Sequence, residues 1–247
     1  MRRKFLANFH IGFLATVLFL CTVGIFNLYS ATHQSGSPLY LSQTYWMMVG
    51  MAMMAFFVIV DYRIFERLAY PLFAITLILL AAVLLVGPKI YGAKRWLDLG
   101  LFRVQPSEMM KISLAFALAK FFHDAHTTGG YTLSRLWIPL FLLGAAVLLI
   151  LIEPDLGTSL MMCFIAFSIF VFVKIRWQTL AIIGVIAALS APLAYQFMLK
   201  DYQRDRVKTF LNPSRDPRGK GYHSIQSMIA VGSGKFYGKG HLKGSQT

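Results

Sequence analysis

The sequence predicts an all-α protein: a polytopic integral membrane helical bundle with about seven transmembrane helices. Of its 247 residues, 57% are hydrophobic and only 14% are charged, whereas soluble domains carry roughly 25% charged residues. The apolar residues gather in seven runs close to the roughly 20 residues that a helix needs to cross a bilayer. An ordinary soluble domain, a disordered nucleic-acid-binding tail and a disulfide scaffold are therefore excluded. The net charge of +14 needs its own explanation, because basic residues are costly inside a bilayer.

The first apolar run covers residues 11–30 and follows three basic residues. It is longer than the apolar part of a signal peptide and has no clear small-x-small cleavage site, so we interpret it as a retained helix. The other runs cover residues 45–60, 71–86, 107–122, 136–152, 158–173 and 180–198. The fourth run is the weakest candidate because it contains Glu108, Lys111 and Lys120.

Two regions follow from this pattern. Residues 1–198 hold all seven runs and form the predicted transmembrane helical bundle. Residues 199–247 are polar, basic, and rich in glycine and proline, and we interpret them as an extracytoplasmic loop. Within this loop, residues 222–231 have the pattern of a short amphipathic helix.

The orientation of the bundle follows from the charges around the first helix. Three basic residues precede that helix and none occurs in residues 31–44, so the N-terminus is predicted to be cytoplasmic. With this topology the inside segments carry eight basic residues and the outside segments fourteen. The imbalance opposes the positive-inside rule, but long segments cross a membrane largely regardless of their charge. Most of the positive charge would face outward, where it could bind an anionic ligand or lipid headgroups.

A basic loop before the fourth run is the first cluster that could carry chemistry. Lys94, Arg95 and Trp96 lie in this loop, and a tryptophan beside basic residues is typical of a membrane interface. Gln105 follows, and the proline after it suits the first turn of a helix.

The start of the fourth run carries Glu108, and Lys111 lies on the same helical face three residues later. One interpretation is an internal ion pair that neutralises two charges in lipid. The other is a polar lining of a cavity or substrate path, where intramembrane ionisable residues usually occur.

The second cluster interrupts the apolar stretch after the fifth run. Asp155 can cap the helix that follows, and a sharp turn accounts for the proline and glycine beside it. Glu153 lies at the end of a helix, where a negative charge opposes the helix dipole. We therefore expect Glu153 to have a cationic partner, such as Lys111 or a loop arginine.

The third cluster lies in residues 199–247. Arg204 and Arg206 come first, and glycines interspersed with lysines, including Lys239, could hold phosphates through backbone N–H groups and charge. Gly240 stands where a P-loop requires Ser or Thr, so this is not a P-loop. The six histidines show no metal-ligand spacing, and we predict no metal-ligating residue.

The three clusters, in this order, resemble the SEDS family of bacterial cell-envelope proteins (shape, elongation, division and sporulation), and most of all its elongation members. The matching stretches are Gly-Ala-Lys-Arg-Trp-Leu-Asp-Leu-Gly from Gly92, Gln-Pro-Ser-Glu from Gln105, Glu-Pro-Asp-Leu-Gly-Thr-Ser from Glu153, and the Asn-Pro, Asp-Pro, Gly-Tyr-His and Gly-Lys-Gly sequence of the last loop. The resemblance runs from the first helix to the last residue.

This resemblance implies a peptidoglycan glycosyltransferase of the bacterial cytoplasmic membrane. Such enzymes polymerise lipid II, an undecaprenyl-pyrophosphate-linked disaccharide peptide, and work with a class B penicillin-binding protein transpeptidase and other elongation-complex membrane proteins. The family fold has about ten helices, and its proposed catalytic Asp lies in a Pro-Glu-x-His-Thr-Asp-Phe stretch that would come after residue 247. We therefore expect no catalytic residue within these 247 residues, and no activity from them alone.

The resemblance also assigns roles to the clustered residues. The substrate-binding candidates, mostly cations for the pyrophosphate, are Lys94, Arg95, Trp96, Arg204, Arg206 and Lys239. The candidates for a polar network that shapes the cavity are Gln105, Glu108, Lys111, Glu153 and Asp155. No cofactor is identifiable, although a divalent cation such as Mg²⁺ could help to stabilise the leaving pyrophosphate. A lipid II flippase, or a scaffold for the penicillin-binding protein, are the alternatives.

Overall fold

The computed structural model describes residues 10–33, 36–90, 93–98, 100, 103–125, 130–193, 195–196, 201–215 and 221–244. Seven helices fall in the predicted bundle, namely α1 (Ile11–Thr32), α2 (Leu39–Ile59), α3 (Tyr62–Val86), α4 (Pro106–Asp124), α5 (Trp137–Ile152), α6 (Leu156–Phe172) and α7 (Trp177–Leu193). Two more helices follow, α8 (Asp201–Leu211) and α9 (Tyr222–Gly234). Short 3₁₀ turns cover Leu133–Arg135 and Pro213–Arg215.

Each of the seven predicted runs overlaps one helix from α1 to α7, so the all-α polytopic prediction is confirmed. Three helices of the described chain, α1, α2 and α3, are long and apolar enough to cross a bilayer by themselves. The predicted amphipathic segment is confirmed as α9, whereas α8 was not expected. The basic residues before α1 and residues 194, 197 and 198 of the seventh run lie outside the described residues.

Four two-residue strands occupy the described part of the loop between α3 and α4, where the sequence indicated only a basic loop. Strand β1 (Lys89–Ile90) pairs antiparallel with β2 (Ala93–Lys94), and β3 (Leu97–Asp98) pairs antiparallel with β4 (Arg103–Val104). The register places Lys89 opposite Lys94 and Asp98 opposite Arg103. Two small hairpins therefore present the basic loop beside the end of α3.

The chain divides into two compact units. Residues 1–60 and 206–247 form one unit, and residues 61–205 form the other. In the first unit α1 packs against α2, the His241 ring stacks on Phe26 with centroids 4.2 Å apart, and the Leu242 N–H donates to Ser30 Oγ at 2.7 Å. The boundary predicted between residues 198 and 199 separates membrane from loop, and it stays a prediction.

The second unit is built around the pair α3 and α4, which has the most extensive contact between any two helices described. The two helices are antiparallel, because Glu66 contacts His123 whereas Thr76, further along α3, contacts the earlier residue Ser113. Helices α5 and α6 pack on this pair. The fully buried side chains at the centre include Leu80, Met110, Leu114, Leu118, Ile150 and Met162.

A buried polar contact joins α3 to α4 inside this apolar core. The hydroxyls of Thr76 and Ser113 lie 2.7 Å apart, and the Thr76 hydroxyl also approaches the Leu72 carbonyl at 2.9 Å. Buried hydroxyls need partners, because leaving one unsatisfied costs more than the bond contributes. This contact therefore links α3 to α4 through a hydrogen bond near the middle of the pair.

The connection that leaves α3 has no space for a side chain at Gly87. A Cβ there would lie 2.4 Å from the Val83 carbonyl oxygen and 3.2 Å from that of Trp96. We expect Gly87→Ala to lower the free energy of unfolding by about 1–3 kcal/mol, as overpacking does. Gly144→Ala in α5 is the matched control, because its Cβ would meet nothing within 4 Å. Thermal unfolding in detergent measures both, and equal unfolding temperatures would contradict the prediction.

Candidate functional site

Arg95 connects the hairpin loop to the turn between α5 and α6. Its Nε donates to the Glu153 carbonyl at 3.2 Å, and its Nη2 donates to the Pro154 carbonyl. The same Nε lies 3.9 Å from Asp155 Oδ2. The guanidinium thus carries positive charge to the C-terminal end of α5, where unpaired carbonyls and the helix dipole favour a cation.

Asp155 is held from two further sides. Its Oδ1 accepts the Thr158 N–H at 3.3 Å, which confirms the predicted cap of α6. Gln105 Nε2 approaches Asp155 Oδ2 at 3.4 Å and Ser107 Oγ at 2.9 Å. The carboxylate is 15% exposed and lies next to the Arg95 charge. These contacts hold the Asp155 carboxylate in one orientation between the end of α5 and the start of α6.

Glu153 is fully buried, and its contact with Arg95 differs from the expected one. The Arg95 guanidinium reaches the Glu153 main-chain carbonyl, while Lys111 pairs with Glu108. Neither oxygen of the Glu153 carboxyl has a hydrogen-bond partner among the described residues. Burial first, and then the neighbouring Asp155, raise the pKa of this carboxyl from 4.5 to about 8, against a lowering by Arg95. The carboxyl therefore holds its proton near neutral pH.

One cation of the hairpin loop, Lys94, binds carbonyls in the last turn of α3. Lys94 Nζ donates to the Leu84 and Leu85 carbonyls at 3.1 and 2.9 Å. Trp96 is half-buried. The exposed pair of Asp98 and Arg103 spans the second hairpin at 3.3 Å. The Gly100 N–H and then Arg103 hold the pKa of Asp98 below its ordinary value, because both contacts favour the charged carboxylate.

Glu108 and Lys111 form the ion pair that their spacing in α4 predicts. Lys111 Nζ donates to a Glu108 oxygen at 2.9 Å. The Glu108 side chain is 57% exposed and that of Lys111 is 23% exposed. The pair lies in the first two turns of α4, the helix that begins directly after Gln105.

The remaining candidates lie in α8 and in the loop after α9. Arg204 Nη2 donates to the Gln196 carbonyl, and its buried Nε has no hydrogen-bond partner among the described residues. The side chain of Arg206 lies outside the described residues. Lys239 is exposed and lines a cleft of about 620 Å³ between α1 and the glycine-rich segment, both within the first unit.

The structure therefore gathers four of the predicted residues into one network: Arg95, Gln105, Glu153 and Asp155. Two partners in it were not predicted, the Pro154 carbonyl and the Ser107 hydroxyl. Sequence reasoning misses a carbonyl ligand because every residue has one. The signal for Ser107 is its position two residues after Gln105, at the start of α4.

Over residues 3–247 the chain matches the FtsW/RodA/SpoVE family, described as cell cycle proteins. The chain belongs to this family. The match confirms the resemblance that the motifs indicated, since these are the division, elongation and sporulation proteins of the SEDS group.

Curated relatives agree with this assignment. The peptidoglycan glycosyltransferase MrdB of Escherichia coli K12 is 38% identical over 199 residues, which cover 81% of this chain and 53% of MrdB. The probable peptidoglycan glycosyltransferase FtsW of Trichlorobacter lovleyi is 32% identical over 260 residues, which cover 100% of this chain and 67% of that relative. The chain thus spans between half and two thirds of the length of these relatives.

Two solved structures share the fold. One, "Structural coordination of polymerization and crosslinking by a peptidoglycan synthase complex", aligns with a TM-score of 0.75 and 35% identity, over 91% of this chain and 65% of that one. The rod shape determining protein RodA of Thermus thermophilus aligns with a TM-score of 0.63 and 30% identity, over 74% of this chain and 59% of RodA.

We expect Arg95→Lys to lower the free energy of unfolding by about 1–3 kcal/mol, because an ammonium cannot span two carbonyls and a carboxylate as a guanidinium does. Arg103→Lys is the control, since that arginine makes an exposed pair worth about 0–1 kcal/mol. Thermal unfolding of the two purified variants measures the difference. Equal losses would show that the Arg95 contacts contribute no more than a surface pair.

Glu153→Gln should flatten the pH dependence of the unfolding temperature. Between pH 4.5 and about 8 the unfolded chain has lost this proton and the folded chain keeps it, so stability falls as pH rises through that window. Glutamine carries no titrating proton and removes this fall. Glu108→Gln, which alters an exposed carboxylate of the same unit, is the control and should retain the fall. Parallel curves for wild type and Glu153→Gln would contradict the assignment.

Proposed function

We propose that the protein is a peptidoglycan glycosyltransferase that polymerises lipid II into glycan strands during cell elongation, and so controls rod shape. The observation that carries the proposal is the 38% identity to MrdB, a peptidoglycan glycosyltransferase, across 199 residues that include the network of Arg95, Gln105 and Asp155. Carboxylates and cations at the same helix ends are the groups that such a transfer needs.

In the proposed reaction a sugar hydroxyl of one chain attacks the anomeric carbon of another, the bond from that carbon to the pyrophosphate breaks, and the pyrophosphate lipid leaves. A carboxylate takes the hydroxyl proton as general base, and cations stabilise the leaving group. The resemblance assigns the base to an Asp in a stretch that these 247 residues do not include. The groups described here would orient the substrate and neutralise its charge.

Arg95 has enough N–H groups to donate hydrogen bonds both to its own chain and to a phosphate. Of its five N–H groups, the contacts to Glu153 and Pro154 use two, and the side chain is 24% exposed. The remaining N–H groups have the planar, two-pronged geometry that matches a phosphate. Lys94, Trp96, Arg204, Arg206 and Lys239 stay candidates for the same ligand.

A divalent cation such as Mg²⁺ does not fit the turn that carries Glu153 and Asp155. Arg95 and Gln105 both direct donors toward Asp155, and the Glu153 carboxyl is buried. These donors would repel a cation at the carboxylate oxygens. The proposal therefore assigns no residue of this turn to a metal and derives no step through one.

The proposed location is the bacterial cytoplasmic membrane, with a cytoplasmic N-terminus and residues 199–247 on the outer side. In that orientation the hairpins and the turn of Glu153 and Asp155 face outward, toward a substrate on the outer leaflet. The proposed partners are a class B penicillin-binding protein transpeptidase and other elongation-complex membrane proteins. The similar structure of a synthase complex that coordinates polymerization and crosslinking supports the transpeptidase as a partner.

Cysteine labelling tests this orientation. Arg103 and Ser134 are exposed and lie in loops at opposite ends of α4. In a Cys21→Ala, Cys163→Ala background, Arg103→Cys should react with a membrane-impermeant maleimide in intact spheroplasts, and Ser134→Cys only after permeabilisation. The reverse pattern would overturn the orientation.

The activity test uses the protein as its gene encodes it, purified with its transpeptidase partner and supplied with lipid II in detergent. We expect glycan strands from the wild type and a loss of about 100-fold or more with Asp155→Asn, because misplacing an orienting group by about 1 Å has that effect. Asp98→Asn, in the exposed hairpin, is the control and should retain the wild-type rate.

The outcomes separate the alternatives. Absence of strands together with lipid II translocation in vesicles would favour a flippase and overturn the enzyme proposal. A folded Asp155→Asn variant that binds the partner and fails to polymerise would exclude the scaffold. Wild-type polymerisation by Asp155→Asn would remove Asp155 from the site.

A further inference from the structure

Three side chains with metal-binding atoms converge where α3 begins and α4 ends. Glu66 lies in the second turn of α3, and His123 and Asp124 are the last two residues of α4. One ligand atom from each lies within 4.8 Å of the other two. From Glu66 to Val86 the helix rises about 30 Å, so this cluster is about one bilayer thickness from the hairpins at the other end of α3.

The separation of the Glu66 and His123 ligand atoms is compatible with a shared ion. His123 Nε2 and Glu66 Oε1 are 3.8 Å apart, beyond hydrogen-bond distance. Two ligands about 2.1 Å from a tetrahedral ion lie roughly 3.4 Å apart, so a shift of a few tenths of an ångström brings both into contact with it. The Glu66 side chain is 36% exposed and that of His123 is 64% exposed, so solvent reaches both groups.

We propose that Glu66, His123 and Asp124 bind a divalent transition-metal ion of the Zn²⁺ class. One imidazole nitrogen with two carboxylates is a donor set that Zn²⁺ accepts. Mg²⁺ and Ca²⁺ prefer sites made of oxygen alone, so the histidine discriminates against both. Three protein ligands leave further coordination positions for water.

A cavity beside the cluster supplies room for that water and a path for the ion. Its volume is about 320 Å³, and Glu66, Lys120 and His123 form its polar side. Phe65 and Phe116 form part of its apolar wall, with ring centroids 5.5 Å apart. Two of the three proposed ligand residues, Glu66 and His123, therefore border this open space.

Lys120 competes with the ion for Asp124. Its Nζ lies 3.1 Å from Asp124 Oδ2, and only 21% of its side chain is exposed. An ion that binds Asp124 adds a second positive charge near this ammonium, so the pair must loosen as the ion binds. Removing the lysine charge should then strengthen binding, which is opposite to the effect expected for an ordinary structural residue.

The ion would fasten the beginning of α3 to the end of α4. A ligand that binds only the folded state raises stability as its concentration exceeds the dissociation constant. The site does not depend on the glycosyltransferase proposal, because it lies at the other end of the helix pair.

Isothermal titration of the untagged, metal-stripped protein in detergent tests the site, with Zn²⁺ as the probe and Mg²⁺ for comparison. We expect one Zn²⁺ per chain, affinity reduced on the order of 10- to 100-fold or more by His123→Ala and by Glu66→Gln, and affinity increased by Lys120→Met. His241→Ala, a histidine of the first unit, is the matched control and should bind as the wild type does.

Thermal unfolding without metal shows whether each variant is folded, and Zn²⁺ should raise the unfolding temperature of the wild type but not of His123→Ala. Absence of saturable Zn²⁺ binding, or equal binding by wild type and His123→Ala, would overturn the proposal. Equal affinity for Mg²⁺ and Zn²⁺ would also overturn it, because the imidazole would then contribute nothing. An unchanged affinity in Lys120→Met would contradict the competition.

Discussion

The Arg95 guanidinium holds together the end of the second unit that carries the hairpins. It reaches from a loop of two-residue strands, which have little stability of their own, to the carbonyls of Glu153 and Pro154 and to the Asp155 carboxylate. The contacts join the hairpin loop to the end of α5 and the start of α6, which lie more than 50 residues later in the chain. Gln105 extends the network to the start of α4, because its Nε2 approaches both Asp155 and Ser107.

The two acidic residues of this turn have opposite environments although one residue separates them. Asp155 accepts from a backbone N–H, lies near two side-chain donors and is partly exposed, whereas the Glu153 carboxyl is fully buried and its pKa is raised to about 8. Burial opposes ionisation of the Glu153 carboxyl. The short α5–α6 connection therefore places one buried carboxyl with a raised pKa two positions before a partly exposed, hydrogen-bonded one.

The helices were predictable because apolar run length depends on local composition, and Asp155 was predictable as a cap because capping acts within three residues. The partner of Glu153 was not, because Arg95 binds its carbonyl and not its side chain. Glu66 and His123 are 57 positions apart and meet only because α3 and α4 are antiparallel. The pair of Glu108 and Lys111, three residues apart on one helix, needed no such knowledge. Contacts within one helix follow from spacing, and contacts between helices require the packing.

The hydroxyl contact between Thr76 and Ser113 has a mechanical consequence for the α3–α4 pair. It lies about midway between the cluster of Glu66 and His123 and the end of α3 at Val86. Sliding one helix past the other by a single turn, about 5.4 Å, would separate the two hydroxyls and leave each with carbonyls of its own helix only, Leu72 and Phe73 for Thr76 and Met110 for Ser113. The observed register is therefore favoured over a shifted one by one interhelical hydrogen bond, worth about 0.5–1.5 kcal/mol.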